Sequence, residues 1–331
     1  MITAHRRRGT ALLAALVGTA LALTACSGSP EDTPTDNAGT ASETRSFEAD
    51  NGTIEIPVDP QRIVALGSAG TYLNLGVEPV GMPRASESEL PWLSSEEKQI
   101  NEAAVDTGDE VDYEQLAGLT PDLIVVFDPA RAWEGDQYDE ERLQSIAPTV
   151  YIELNVNSWK TQVGRLADAV GELDDFDASE AAYDTLTADI KDEYAGLLDS
   201  TTFIVLNRFA STEDGVFVLE HPGGYCPGPL EDAGLKILPE NAEDVFAFVS
   251  MEQLSDTVAD ADVIIYPLGA DGNVMPAFAP VLESNIWQSL PQVQGGQALG
   301  VQCNSFVVSY SSNIPNLESL KEALATLPEA G

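Results

Sequence analysis

Two stretches of this chain carry the same local pattern, and that repetition limits the fold more than any other feature. The first runs Tyr113-Glu114-Gln115-Leu116 and then Pro121-Asp122-Leu123-Ile124-Val125-Val126. The second runs Met251-Glu252-Gln253-Leu254 and then Ala261-Asp262-Val263-Ile264-Ile265-Tyr266. In each, a short amphipathic helix leads through an Asp into a continuous apolar run, the signature of a parallel strand covered on both faces. Between them, Asp177 to Leu198 reads as one long helix. Ala182, Leu186, Ile190, Tyr194 and Leu197 form a single stripe, and Asp177 with Glu180 has the spacing of a capping box. The expected architecture is α/β: two α/β lobes joined by a single long helix.

The amino terminus is expected to be a targeting segment. His5-Arg6-Arg7-Arg8 is a positive start, and Thr10 to Leu23 is an apolar stretch short for a membrane span. Leu23-Thr24-Ala25-Cys26 resembles the lipobox of bacterial lipoproteins, which implies that Cys26 is lipidated and becomes the first mature residue. Acyl chains contribute about 0.8 kcal/mol per buried methylene, so two or three of them hold a protein on a membrane. Ser27 to Ser46 is rich in Ser, Thr, Pro, Gly and acids and reads as a tether, its ends on the order of 25 Å apart as a coil and roughly 70 Å when extended. The expected division is leader 1–25, tether 26–46, first lobe 47–175, rod 176–199 and second lobe 200–331.

Charge excludes one class of partner. Three of the fifteen Lys and Arg lie in the leader, so the remainder sets twelve basic residues against 55 acids, a net charge of −43. Such a surface repels phosphate backbones, and nucleic-acid binding is not expected.

In the first lobe, Thr53 to Pro57 and Arg62 to Leu66 read as strands separated by the turn at Asp59-Pro60. Gly67-Ser68-Ala69-Gly70 follows, suited either to close approach of a ligand or to a plain tight turn. In the second lobe, Thr202 to Leu206 is expected to pair with Val216 to Leu219 as a hairpin. Leu317 to Leu324 reads as a closing helix.

Pro57 to Leu66, the Leu75-Gly76 to Val80-Gly81 turn, Pro121 to Val125 and Val249 to Leu254 together resemble the solute-binding lipoproteins of ABC importers for ferric siderophores, cobalamin and heme. The resemblance spans roughly Ile54 to Leu327. It implies a ligand cleft between the two lobes, a ferric siderophore as the transported ligand, ABC permease subunits as partners, no chemistry of the protein's own and no cofactor, on the extracytoplasmic face of the membrane. A monomer is expected. Heme or cobalamin is the alternative ligand within the same class. The resemblance also implies one exposed Glu on each lobe for the permease. Glu252 matches in the second lobe, whereas the equivalent first-lobe position is Gly70, leaving Glu78 nearby as a substitute.

Candidate ligand contacts follow from strand ends, because in open α/β lobes the carboxyl ends border the crevice. Arg84, Arg131 and Arg208 all fall just beyond strand-like runs, where an Arg fork can hold carboxylate, catecholate or hydroxamate oxygens. Salt bridges to the many acids are the competing use for each. Trp133, Tyr225 and Tyr310 lie in or beside predicted loops and are the aromatic candidates, whereas Trp159 begins a helix and is assigned to the core.

His221 is the one histidine after the leader, which excludes a histidine-rich metal site. The resemblance offers it an axial role toward heme iron, set against a structural role. Cys226 and Cys303 are the remaining thiols of an exported chain, and a disulfide between them is expected. An exported hydrolase is the rival class. It lacks support, since Ser68 stands in Leu66-Gly67-Ser68 without a Gly-x-Ser-x-Gly elbow.

Overall fold

The computed structural model describes residues 43–108, 110–128, 138–155 and 158–327. The leader, Cys26, most of the tether, and the candidates Arg131 and Trp133 lie outside them. The chain opens with a hairpin of β1 (Thr44–Ala49) and β2 (Gly52–Pro57). Its first strand takes in Thr44, Arg45 and Ser46, which the sequence reading placed in the tether. Phe47 and Ile56 explain the difference, because both are buried and fix the hairpin to the lobe.

The first lobe is a five-stranded parallel sheet of β3 (Ile63–Gly67), β4 (Gly81–Met82), β5 (Val105–Asp106), β6 (Leu123–Asp128) and β7 (Thr149–Glu153), in the order β5-β4-β3-β6-β7. Its helices are α1 (Ala69–Asn74), α2 (Ser95–Ala103), α3 (Tyr113–Gly118), α4 (Glu140–Gln144) and α5 (Trp159–Val170). Local sequence starts them. Ser94 and Glu97 form a capping box on α2, and the Asp112 and Asp139 carboxylates accept first-turn N–H groups of α3 and α4. Gly171, at φ +87°, supplies the left-handed residue that ends α5 and turns the chain into the rod.

The rod is α6 (Leu173–Glu193), 21 residues and therefore about 30 Å long. It corrects the sequence reading in three ways. The helix begins at Leu173, so Asp177 and Glu180 sit inside it and form no capping box; Glu172 stands at the N-cap without a side-chain bond. It ends at Glu193, and Ala195–Ser200 forms a separate short helix, α7. The buried stripe is Phe176, Tyr183, Thr187 and Ile190, while Ala182 is exposed. An aromatic cluster sets that register. The Tyr310 ring lies 5.1 Å from both Trp159 and Tyr183 and 5.4 Å from Phe176, turning the rod by one residue toward its largest side chains.

The second lobe is a mixed sheet of β8 (Thr202–Asn207), β9 (Val216–Glu220), β10 (Lys236–Leu238), β11 (Phe246–Ser250), β12 (Val263–Leu268) and β13 (Ala298–Gln302). Its order is β11-β9-β8-β12-β13, with β10 parallel to the start of β8. The expected hairpin is β8 with β9, antiparallel. The helices are α8 (Pro227–Asp232), α9 (Leu254–Thr257), α10 (Ala279–Glu283), α11 (Asn285–Ser289), α12 (Pro291–Gln294) and the closing α13 (Tyr310–Leu324).

The repeated pattern becomes a repeated device. Asp122, just before β6, accepts from the backbone of Gln61 and Arg62 at 2.8 and 2.9 Å where the chain enters β3. Asp262, just before β12, accepts from Thr202 N at 2.8 Å where the chain enters β8. Each Asp thereby satisfies N–H groups that the sheet ladder leaves open at its rim.

Alternation along the central strands divides the core. Leu123, Val125 and Phe127 of β6, with Phe203 and Val205 of β8 and Val263 and Ile265 of β12, face one continuous cluster that also takes in Tyr183, Ile190 and Leu198. Ile124 and Val126 face a private core of the first lobe; Ile204, Leu206 and Ile264 face one of the second. The two sheets stay separate yet share an apolar seam along the rod.

Polar bonds cross that seam. Lys160 on α5 pairs with Asp232 on α8 at 2.5 Å, and Asp232 also accepts from Tyr183 on the rod at 2.6 Å. Elsewhere, Ser309 donates to Asn74 of α1 at 2.8 Å, and Val308 N donates to Thr71 Oγ1 at 3.3 Å. Lobes tied at separated points resist a wide swing about the rod.

Candidate functional site

The carboxyl ends of β7, β8 and β13, with the end of the antiparallel β9 and the start of β11, border a cavity of about 480 Å³. The first lobe supplies Ser88, from the loop after β4, and Glu153, Leu154 and Asn155, from the end of β7. The second lobe supplies Phe209 to Ser211 after β8, Glu220 at the end of β9, Gly224 and Tyr225, Val245 and Phe246, and Ser305 and Phe306 after β13. This is where an open α/β sheet leaves backbone and loops free to meet a ligand.

A disulfide shapes the second-lobe wall. Cys226 and Cys303 are bridged with Cα atoms 5.3 Å apart, as expected from the cysteine count. The bridge holds the loop bearing Tyr225 against the exit of β13, so that Tyr225, Ser305 and Phe306 share one wall. Phe306 packs edge-on to Phe209 at 6.2 Å, and Phe246 to Phe248 at 5.5 Å. Phe248 is 63% exposed, the largest exposure of any bulky apolar side chain among the described residues.

Glu220 is the buried acid of this cavity, 4% exposed. Asn207 Nδ2 donates to it, and the Cys226 backbone N–H adds a second bond. Burial outweighs both and pushes its carboxyl up to about 6. Burial also raises the Tyr225 hydroxyl. Among the described lining residues there is no Lys or Arg.

Of the four sequence candidates within the described residues, the cavity wall takes in Tyr225. Arg84 is exposed, donates to Ala104 O at 3.1 Å and stands 3.7 Å from Asp106. Arg208 is largely buried and spends its fork on its own surroundings: Val216 O at 3.1 Å, Ala277 O at 2.9 Å and Thr212 O at 3.3 Å. It braces the loop that presents Phe209 to the cavity. Tyr310 lies 4% exposed beneath the rod and donates to Glu180 at 2.7 Å. His221 is 8% exposed, with Nδ1 2.7 Å from Asp244 O, and is absent from the cavity wall. That contact occupies one ring nitrogen and serves a structural role.

Gly70, at the position where the resemblance implies a first-lobe Glu, is buried. A Cβ on Gly70 would stand 2.5 Å from Val307 Cγ2, in the segment that ties the lobes together, and Gly70 N donates to Glu89 at 3.0 Å. Glu78 and Glu252 are both exposed.

Glu153, Phe209, Glu220, Phe246 and Phe306 escaped the sequence reading. Each stands at or within a few residues of a strand end. An aromatic side chain at a strand end is as strong a signal as Arg84 or Arg208.

Two α/β lobes fused along a stiff helix, with a cavity between them, are the architecture of a two-lobed solute-binding protein. The sequence profile of periplasmic binding proteins matches residues 63–299, and the chain belongs to that family. It is 28% identical over 293 residues to a probable siderophore-binding lipoprotein, YfiY, of Bacillus subtilis, covering 84% of this chain and 86% of that one. It is also 28% identical to the iron(3+)-hydroxamate-binding protein YxeB of the same organism, covering 91% of each. A solved siderophore periplasmic binding protein from the fuscachelin gene cluster of Thermobifida fusca superposes with a TM-score of 0.69 at 29% identity, covering 82% of this chain and 99% of that one.

Proposed function

We propose that this protein captures a ferric siderophore in the cleft between its lobes and delivers it to an ABC permease while anchored by lipid at Cys26 to the extracytoplasmic face of the cell membrane. The observation that carries the reading is the cavity itself. At about 480 Å³ it falls within the span of roughly 300 to 1,000 Å³ typical of small-molecule sites, and aromatic rings meet two carboxylates on its wall. A ferric chelate is bulky and largely apolar outside its iron-binding groups, and rings offer it broad contact at low entropic cost. The names of the relatives support the same ligand class. His221, turned to Asp244 O, gives heme no support.

Delivery requires a docking face. Glu252, exposed on the turn after β11, and Glu78, exposed on the first lobe, are the acids assigned to it. Tyr225 is assigned to ligand contact, and Arg131 and Trp133 stay with it as proposals. Arg208 is assigned the bracing of the Phe209 loop. Among the described residues no helix is long and apolar enough to cross a membrane, and the anchor rests on the lipobox.

Native mass spectrometry of the protein mixed with a panel of ferric siderophores, heme and cobalamin tests the reading. A stoichiometric complex with at least one ferric siderophore is expected. Retention of heme or cobalamin alone overturns it.

A further inference from the structure

Four rings line the second-lobe side of the cavity, and the separate segments that carry them meet at one buried pair. Asn207 closes β8 at 1% exposed, and Glu220 closes β9 at 4% exposed. Asn207 Nδ2 donates to the Glu220 carboxylate, while its Oδ1 accepts from Arg208 N at 2.8 Å. The Cys226 N–H donates to the same carboxylate, and Cys303 Sγ lies 3.9 Å from Asn207 Nδ2. Phe246 stands opposite Glu220 in the ladder between β9 and β11. Phe209, Tyr225 and Phe306 thus lie within three residues of Asn207, Cys226 and Cys303 respectively.

The acid of this pair does not serve stability. Burial outweighs its hydrogen bonds and raises its carboxyl, so the ionised form costs the fold free energy at neutral pH. What the carboxylate supplies is two accepting oxygens where donors arrive from two different segments. An amide in its place offers one, so the donors must share it or one of them meets an N–H.

We propose that Asn207 and Glu220 are positioning residues of the cleft, a buried hydrogen-bonded pair that couples the loops bearing Phe209, Tyr225 and Phe306 into one preorganised wall. Stability is given up in exchange for a fixed binding surface, a trade met where a site must be held in one geometry. That the wall meets a chelate rests on the siderophore reading; the coupling between its loops does not.

Hydrogen exchange of the detergent-solubilised full-length protein at pH 8, read by mass spectrometry, tests the coupling without a ligand. Each loop carries a bonded amide that reports on it: Thr212 N to Phe209 O at 3.0 Å, Gly224 N to His221 O at 3.1 Å, and Phe306 N to Asn304 Oδ1 at 3.0 Å. Glu220→Gln is expected to speed exchange at all three by about tenfold while β12 and the closing helix keep their protection. Asn207→Asp combined with Glu220→Gln reverses the direction of the bond, with Asp accepting from the Gln amide, and is expected to restore protection. Asn207→Ala leaves the acid in place without its partner; it serves if the Gln variant does not fold, and should loosen the same loops by a smaller factor. Unchanged exchange, faster exchange confined to residues 222–226, a rise throughout the second lobe, or failure of the exchanged pair to restore protection overturns the proposal. Ferrioxamine B and ferric enterobactin supply the binding arm, by stopped-flow tryptophan fluorescence. Either probe that binds the parent is expected to leave Glu220→Gln about tenfold faster and the exchanged pair at the parental rate. An unchanged release rate overturns the positioning role, whereas failure of both probes to bind the parent counts against the siderophore reading and leaves hydrogen exchange to decide the coupling.

Discussion

Tyr310, the first residue of the closing helix, donates its hydroxyl to Glu180 in the middle of the rod at 2.7 Å, joining two parts of the chain 130 residues apart. Its ring is surrounded by Trp159, Phe176 and Tyr183. A residue that sequence position assigned to a ligand is therefore a keystone of the seam between the lobes. Burial and the Glu180 carboxylate both raise its hydroxyl pKa, so it stays a donor across the physiological range.

Tyr310→Phe removes one charge-assisted hydrogen bond and is expected to cost about 1 to 2 kcal/mol in urea unfolding. Tyr310→Ala also opens a cavity and is expected to cost about 3 to 5 kcal/mol. Siderophore affinity of the Phe variant should match the parent protein. A tenfold loss of affinity with unchanged stability would return Tyr310 to the ligand site.

Arg208→Ala leaves the carbonyls of Val216, Ala277 and Thr212 without their donors. The expected loss is about 2 to 4 kcal/mol in chemical unfolding, together with weaker ligand binding as the Phe209 loop loosens. Arg208→Lys should recover less than half of the stability, because an ammonium cannot reproduce the fork. Full recovery by Lys would mean that charge alone is used.

Glu220 gives stability a pH dependence of defined sign. Its folded pKa of about 6 lies above the ordinary value of 4.5. The stability it contributes is complete below about pH 4.5 and is lost as pH rises through about 6, a change of about 2 kcal/mol. Glu220→Gln should therefore be more stable than the parent at pH 8 by about that amount, with the difference shrinking toward pH 4 in calorimetric scans. A difference that does not vary with pH would show that burial leaves this acid unshifted.

The Cys226–Cys303 bridge closes a loop with a sequence separation of 77. Cys226→Ala with Cys303→Ala should lower stability by up to about 4.5 kcal/mol on loop-entropy grounds. Ligand affinity should fall as well, because the bridge fixes the Tyr225 loop against the strand that leads to Phe306. Equal affinity with and without the bridge would show that packing alone positions that wall.

Cys26→Ser should move the protein from the membrane fraction to the soluble fraction and abolish labelling by radioactive palmitate. Retention in the membrane fraction would place the anchor elsewhere in the chain.

Much of the fold was legible because it depends on short-range rules. Apolar runs such as Leu123 to Val126 and Val263 to Ile265, short, β-branched and bounded by Asp, fit strands buried on two faces. Asp122 and Asp262 marked their starts, and two thiols in an exported chain predicted the bridge. The candidate site was less legible. Strand ends located the cavity, but the type of residue at those ends did not say which way it turned. Arg208 found carbonyls in its own loop, Tyr310 found the rod, and Phe209 and Phe306, adjacent to sequence landmarks, took the wall instead.

The sequence by itself determined two α/β lobes and a connecting helix, since hydrophobic period sets both locally, and the crevice between them followed from the family resemblance. Tertiary structure alone decided the register of the rod, with Tyr183 inward and Ala182 outward, and the anionic aromatic character of the described cleft wall. Both depend on contacts between residues more than a hundred positions apart, such as Tyr310 with Glu180 and Val307 against Gly70. A polar fork or a ring satisfies several environments equally well in isolation, and packing chooses among them.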